Sequence, residues 1–162
     1  MNKQFATLIA AVGILLPLSS AHAMTTSGSA CTVPAGSPFV AVSTVPYGAA
    51  NPSTSSTLTV ECPLDAPPDG NVSWISFLAF DRNTQVNVAC TFHAWNNSGG
   101  YIGSRNFASS GGAPGEGIKT WGNSGALFLT GHYHWSARCQ IPAAVVQNGT
   151  TWMSHIVGFE LK

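Results

Sequence analysis

Residues 132–141 read His132-Tyr133-His134-Trp135-Ser136-Ala137-Arg138-Cys139-Gln140-Ile141. The stretch alternates without a break. Tyr133, Trp135, Ala137, Cys139 and Ile141 fall on one side, and His132, His134, Ser136, Arg138 and Gln140 on the other. A period of two belongs to an extended strand, whose successive side chains project to opposite faces. A helix would scatter the same residues around its circumference. The strand therefore has an apolar side for a core and a polar side carrying imidazoles and a guanidinium.

The same pattern recurs outward from this stretch. Val86, Val88, Cys90 and Phe92 alternate with Asn87, Thr91, His93 and Trp95, and Leu58-Thr59-Val60-Glu61-Cys62 alternates up to Pro63. Val72 to Phe80 is dense in apolar and aromatic residues and reads as a central strand, bounded by turns at Pro67-Pro68-Asp69-Gly70 and Asp81-Arg82-Asn83. Phe39, Val40, Val42 and Val45 suggest an early strand, Gly125 to Thr130 another, and Trp152 to Leu161 a final one after the hairpin signal Asn148-Gly149. Asn96 to Gly117, rich in Gly, Ser and Asn, reads as loop with room for one short strand. Helix formers rarely recur at helical spacing. The expected fold is all-β, a single antiparallel β-sandwich of Ig-like or jelly-roll-like kind.

The first 23 residues read as a secretory signal. Lys3 supplies a positive start, Phe5 to Leu18 an apolar run, and Ala21-His22-Ala23 a small-x-small cleavage site. The run is too short to span a membrane, and no stop-transfer segment follows. The expected organisation is a removed signal over 1–23, a flexible segment over 24–30 and one sandwich domain over 31–162, secreted or periplasmic. Six acids, Glu61, Asp65, Asp69, Asp81, Glu116 and Glu160, stand against five bases, Arg82, Arg105, Lys119, Arg138 and Lys162, in the mature part. No basic cluster exists, so the electrostatic attraction that dominates nucleic-acid binding is missing, as is a polybasic patch for anionic membranes. Nothing in the pattern specifies an oligomeric state.

Four cysteines, Cys31, Cys62, Cys90 and Cys139, follow the signal. An even count in an exported chain argues for disulfides. Three pairings are open. Cys31–Cys62 with Cys90–Cys139 is favoured because each pair joins segments that read as neighbouring strands, for roughly 3–4 kcal/mol each in the chain-entropy picture. The spacing of Cys62-Pro63, Cys90 and Cys139-Gln140-Ile141-Pro142 resembles that of small secreted bacterial β-proteins, which implies the fold class and no residue roles.

Catalytic motifs are sparse. Gly122-Asn123-Ser124-Gly125 resembles the nucleophile loop of chymotrypsin-like proteases, but only Glu116 lies between His93 and Ser124 to act as the orienting acid, and the chain is too short for two barrels. The expectation leans away from an enzyme. The richer feature is conditional. If Cys90 and Cys139 sit opposite each other on antiparallel neighbours, then Thr91 faces Arg138, His93 faces Ser136 and Trp95 faces His134, all on the side away from the cysteines. An indole, two imidazoles and a guanidinium on one face suit a ligand such as a sugar. The expected function is a secreted or periplasmic, non-catalytic binding or cell-surface module for carbohydrate or another extracellular ligand, with Trp95, His93, His134, Arg138 and Trp121 as contacts. Besides a small hydrolase with an unrecognised site, two alternatives remain. One is copper or zinc held by His132 and His134 with His93 or His155 as third ligand; the other is a structural surface subunit that assembles through strand edges. No other cofactor is implied.

Overall fold

The computed structural model describes residues 24–35, 43–45, 48–65, 67, 72–110, 119–124 and 133–162. The signal segment 1–23, His132 and the strands expected at Phe39–Val42 and Gly125–Thr130 lie outside these residues. Twelve strands are formed among the described residues, with no α-helix: β1 (Met24–Ser27), β2 (Ser43–Val45), β3 (Gly48–Ala50), β4 (Leu58–Leu64), β5 (Trp74–Phe80), β6 (Ala89–Asn96), β7 (Tyr101–Ala108), β8 (Lys119–Ser124), β9 (Tyr133–Ile141), β10 (Val145–Gln147), β11 (Thr150–Trp152) and β12 (His155–Leu161). One sheet runs β2-β3-β12-β5-β8, with β1 also paired to β12; the other runs β4-β9-β6-β7. All pairings are antiparallel. β10 and β11 form a separate hairpin whose turn carries Asn148 at φ 52° and Gly149 at φ 75°, the left-handed conformations that a tight hairpin demands.

The two sheets pack face to face as the expected sandwich. From the four-stranded sheet come Leu58, Val60, Cys62, Cys90, Phe92, Ala94, Trp135, Ala137, Cys139 and Ile141; from the other come Ile75, Phe77, Ala79, Ile156, Phe159 and Leu161, all buried in one cluster. Phe92 meets Phe159 across the interface edge-on, with ring centroids 5.8 Å apart. This is the alternation of β4, β6 and β9 turned into packing: every second residue faces the opposing sheet.

Both disulfides form in the favoured pairing, Cys31–Cys62 and Cys90–Cys139. Their mechanical roles differ. Cys90 and Cys139 are direct partners on β6 and β9, so that bond locks two neighbours of one sheet. Cys31 follows β1, which belongs to the first sheet, whereas Cys62 lies on β4, the edge of the second. The second bond therefore joins the sheets along one side. It is flanked by the Thr32–Glu61 bridge and by Thr26 Oγ1, which donates to Asp65 Oδ2 at 3.3 Å and accepts from the Asp65 N–H at 3.0 Å. Elsewhere Asp81, just past β5, accepts from Ser109 Oγ, just past β7, and Ser109 Oγ accepts from the Val88 N–H at 3.0 Å. Buried Asn51 donates to the carbonyls of Ser56, Ile141 and Pro142 and accepts from the Ser53 N–H, tying the exit of β3 to the end of β9.

Several expectations are corrected. Met24–Ser27, read as part of a flexible segment, is strand β1, because β12 offers it an open edge to pair with. Residues 101–108, read mainly as loop, form the eight-residue β7; as an edge strand it keeps both faces partly exposed, so no apolar alternation was needed. Gly122 belongs to β8 and not to a loop: it pairs with Ser76 of β5, and a side chain there would collide with the Ile75 carbonyl and with Ser76, which is why the position is glycine. β4 continues through Pro63, which an edge strand tolerates. Val86 precedes β6 and is 50% exposed, so the inward series begins at Val88. The final strand starts at His155, because Thr150–Trp152 is taken up by the hairpin.

Two predictions follow from these contacts. Asp81→Ala leaves the buried Ser109 hydroxyl without its acceptor and should cost about 1–3 kcal/mol in urea denaturation; a loss below about 0.5 kcal/mol would show that the Asp81–Ser109 bond does not join the sheets. His155, half-buried on β12, packs edge-on against Phe80 at 5.8 Å. Burial, and then the Arg82 guanidinium, hold its imidazole below the ordinary value of 6.5. The unfolded chain thus binds the proton first, so this contribution to stability is complete above pH 6.5 and is lost as pH falls from there through the lowered folded value. Comparing denaturation midpoints near neutrality and in mild acid, His155→Gln should show a smaller drop than the parent; an equal drop rules out His155 as a source.

Candidate functional site

The outer face of the β4-β9-β6-β7 sheet carries the side chains that alternate with the core residues. The register of β6 on β9 pairs Cys90 with Cys139, Thr91 with Arg138, His93 with Ser136 and Trp95 with His134. The conditional geometry read from the sequence is therefore the geometry present: the disulfide lies within one sheet, and Trp95, His93, His134 and Arg138 share its outer face.

β7 completes the cluster through an irregularity. Ala94 pairs with Gly103, yet the next residue, Trp95, pairs with Tyr101, so Ile102 is the extra residue of a bulge. Without the bulge, Ile102 would stand opposite Trp95. With it, Tyr101 does. The β6–β7 turn is tight: Asn96 Oδ1 accepts from the N–H groups of Ser98 and Gly100, and Gly99 takes φ 81°. The result is a three-ring corner. Trp95 and Tyr101 have centroids 5.1 Å apart at 65°, and His93 lies 6.4 Å from Trp95 and 6.1 Å from Tyr101. Tyr101 is 53% exposed, which leaves its ring open to solvent.

The corner is one end of a groove of about 610 Å³ that crosses all four strands to Thr32, beside β4. Glu61, Pro63, Ser136 and Arg138 line its length. Arg138 Nε lies 4.0 Å from Glu61 Oε1, with both side chains more than half exposed, a spacing at which solvent screens most of the attraction. The groove thus combines an aromatic wall with donors and acceptors of both kinds and one opposed charge pair.

The structure does not bring every expected residue here. Trp121 lies on β8 in the other sheet, half-buried and stacked on Phe77 with centroids 5.5 Å apart. It packs against the core and does not line the groove. His155 is on β12, also in the other sheet. His134 is exposed on the outer face, diagonal to His93. Among the described residues no group of three or more His, Cys, Asp or Glu side chains is placed to hold a metal ion. Tyr101, Glu61, Pro63 and Thr32 were not anticipated as site residues. Glu61 was legible as the polar side of the Leu58–Cys62 alternation, but Pro63 was read as the end of that strand, and Tyr101 was not legible, since its position depends on the bulge.

No family model and no curated protein matches the chain. Among solved structures, the fold is similar to part of the enzymatically active domain of tailspike protein 4 of Bacteriophage CBA120, with 10% sequence identity and a TM-score of 0.44. The likeness covers 87% of this chain and 19% of that one, and no residue role is carried across it.

Because the Arg138–Glu61 pair is exposed, it contributes little to the fold. Glu61→Gln should shift unfolding free energy by less than about 1 kcal/mol. A loss above about 2 kcal/mol would mean that the groove wall at β4 is held by this pair and not by the adjoining Cys31–Cys62 bond.

Proposed function

We propose that this protein is an exported, non-catalytic carbohydrate-binding module acting outside the cytoplasm, with the Trp95–Tyr101–His93 corner as its contact platform. The observation that carries the reading is the register of β6 between β9 and β7, which gathers three rings beside Arg138, Glu61 and Ser136 on one open face. Sugar rings present flat C–H faces and hydroxyl-bearing edges. The first suit aromatic surfaces, and the second suit a mixture of donors and acceptors. Aromatic residues and arginine together also dominate binding energy at interfaces.

A binding role fits the acid–base inventory of the face better than hydrolysis does. Glycosidases of the common kind act with two carboxyl groups flanking the scissile bond. Among the described residues Glu61 is the one carboxylate lining the groove, and it is directed to Arg138. Export is supported by the signal-like sequence of 1–23 and by the two disulfides, which belong to oxidising compartments. No helix among the described residues is long and apolar enough to cross a membrane.

Thermal-shift screening against a glycan panel, followed by calorimetry on the best hit, tests the assignment. Trp95→Ala should weaken binding by about 2 kcal/mol, roughly 30-fold, with unfolding midpoint and near-ultraviolet dichroism retained. Trp121→Ala should do the reverse, lowering stability while a folded sample binds normally. Undiminished affinity in a folded Trp95→Ala protein removes the platform from the account. The intact mass of the protein recovered from an exporting host should correspond to a chain beginning at Met24; retention of residues 1–23 contradicts export by this signal.

A further inference from the structure

A second depression of about 390 Å³ lies on the same outer face. Ala89, Thr91, Asn106, Ala108, Arg138 and Gln140 line it. Arg138 belongs to both depressions, so they adjoin at that side chain. The pairing explains the composition. Thr91 faces Asn106 on one side and Arg138 on the other, while Ala89 faces Ala108 and Gln140. From Trp95 to Ala89 the face continues along β6 for roughly 20 Å at about 3.3 Å per residue, a length that exceeds one sugar ring several times over.

Resting on the carbohydrate reading above, we propose that the two depressions form one extended strip for an uncharged, linear glycan several rings long. One end stacks on Trp95 and Tyr101, Arg138 sits at the junction, and the far end hydrogen-bonds to Thr91, Asn106 and Gln140. The charge pattern selects a neutral ligand. The formal charges lining the strip are Arg138 and Glu61, opposite in sign and 4.0 Å apart, so no net field attracts a polyanion or a polycation. Thr91, Asn106 and Gln140 each offer both a donor and an acceptor; a hydroxyl group uses both, whereas a carboxylate or sulfate uses the donors alone and leaves the acceptors unpaired. Small Ala89 and Ala108 keep the far end flat, so a chain passes over it without a blocking side chain.

The test is calorimetry of the oxidised mature protein with cello-, xylo-, manno- and malto-oligosaccharides, from dimer to octamer, and with polygalacturonate as the acidic counterpart, at low and high salt. For the series that binds, affinity should climb with length and level off once the strip is filled, and salt should leave it unchanged. Asn106→Ala and Gln140→Ala, checked for fold by dichroism, should each weaken the longest ligand by roughly 3- to 10-fold, the equivalent of one lost hydrogen bond, and leave the shortest ligand that binds untouched. Trp95→Ala should weaken all lengths. If affinity is the same at every length, or the two variants bind the longest ligand as the parent does, the extended strip is overturned while the aromatic platform stands. If the preferred ligand is instead an acidic polysaccharide whose binding collapses in salt, the neutral assignment is overturned. If no glycan of either kind binds, the carbohydrate reading itself falls and the strip falls with it.

Discussion

The antiparallel pairing of β6 with β9, covalently pinned where Cys90 meets Cys139, is the constraint on which the rest of the molecule depends. A strand displaced by one residue exchanges its two faces. Here that would carry Phe92 and Ala94 out of the core and His93 and Trp95 into it. A bond between directly opposed cysteines forbids the slip. It fixes the inward series Cys90, Phe92, Ala94 against Trp135, Ala137, Cys139, and by the same act fixes the outward series that lines the groove. Core and site are two readings of one register.

The sandwich is then closed by contacts at its margins. Cys31–Cys62 and the Thr26–Asp65 hydrogen bonds join the sheets along the β1/β4 side. Asp81 with Ser109 joins the exits of β5 and β7, and Asn51 joins the exit of β3 to the end of β9. Of these groups Thr26, Asn51, Asp81 and Ser109 are buried, and each is paired, as groups removed from water must be to avoid a net cost. The Cys31–Cys62 bond also reaches the site, since Thr32 and Cys62 line the β4 end of the groove. The covalent frame that stabilises the fold therefore also shapes the wall against which a ligand would lie.

Functionally, the outer sheet face combines rigidity with low charge. Its side chains stand on paired strands of a disulfide-pinned sheet, so little ordering is left to be done on binding, which lowers the entropic cost of association. Open aromatic rings, a screened charge pair and uncharged hydrogen-bonding groups make up the surface to which the proposal assigns a repetitive neutral polymer. His155, whose proton affinity burial lowers, lies in the other sheet, away from this face.

Much of this was legible in the sequence. Alternation over Leu58–Cys62, Val88–Phe92 and residues 132–141 determines strands, faces and core, because a period of two is local and written residue by residue. The even cysteine count and strand-like context point to the pairing, and a direct Cys90–Cys139 register places Trp95, His93, His134 and Arg138 together. Tertiary structure alone decided the rest. Whether Cys90–Cys139 lay within a sheet or between sheets depended on which strands are neighbours, which alternation does not encode. The sequence left room for only one short strand where the eight-residue β7 lies and gave no sign of β8, because their polar, Gly-containing sequences draw stability from pairing with β6 and β5 and not from an apolar face of their own. Trp121 reads the same from sequence whether it meets a ligand or Phe77; its position on β8 sends it to the core. Tyr101 joins the site through a one-residue bulge, and a bulge is set by how two strands fit together, a property of the pair that neither strand's sequence contains.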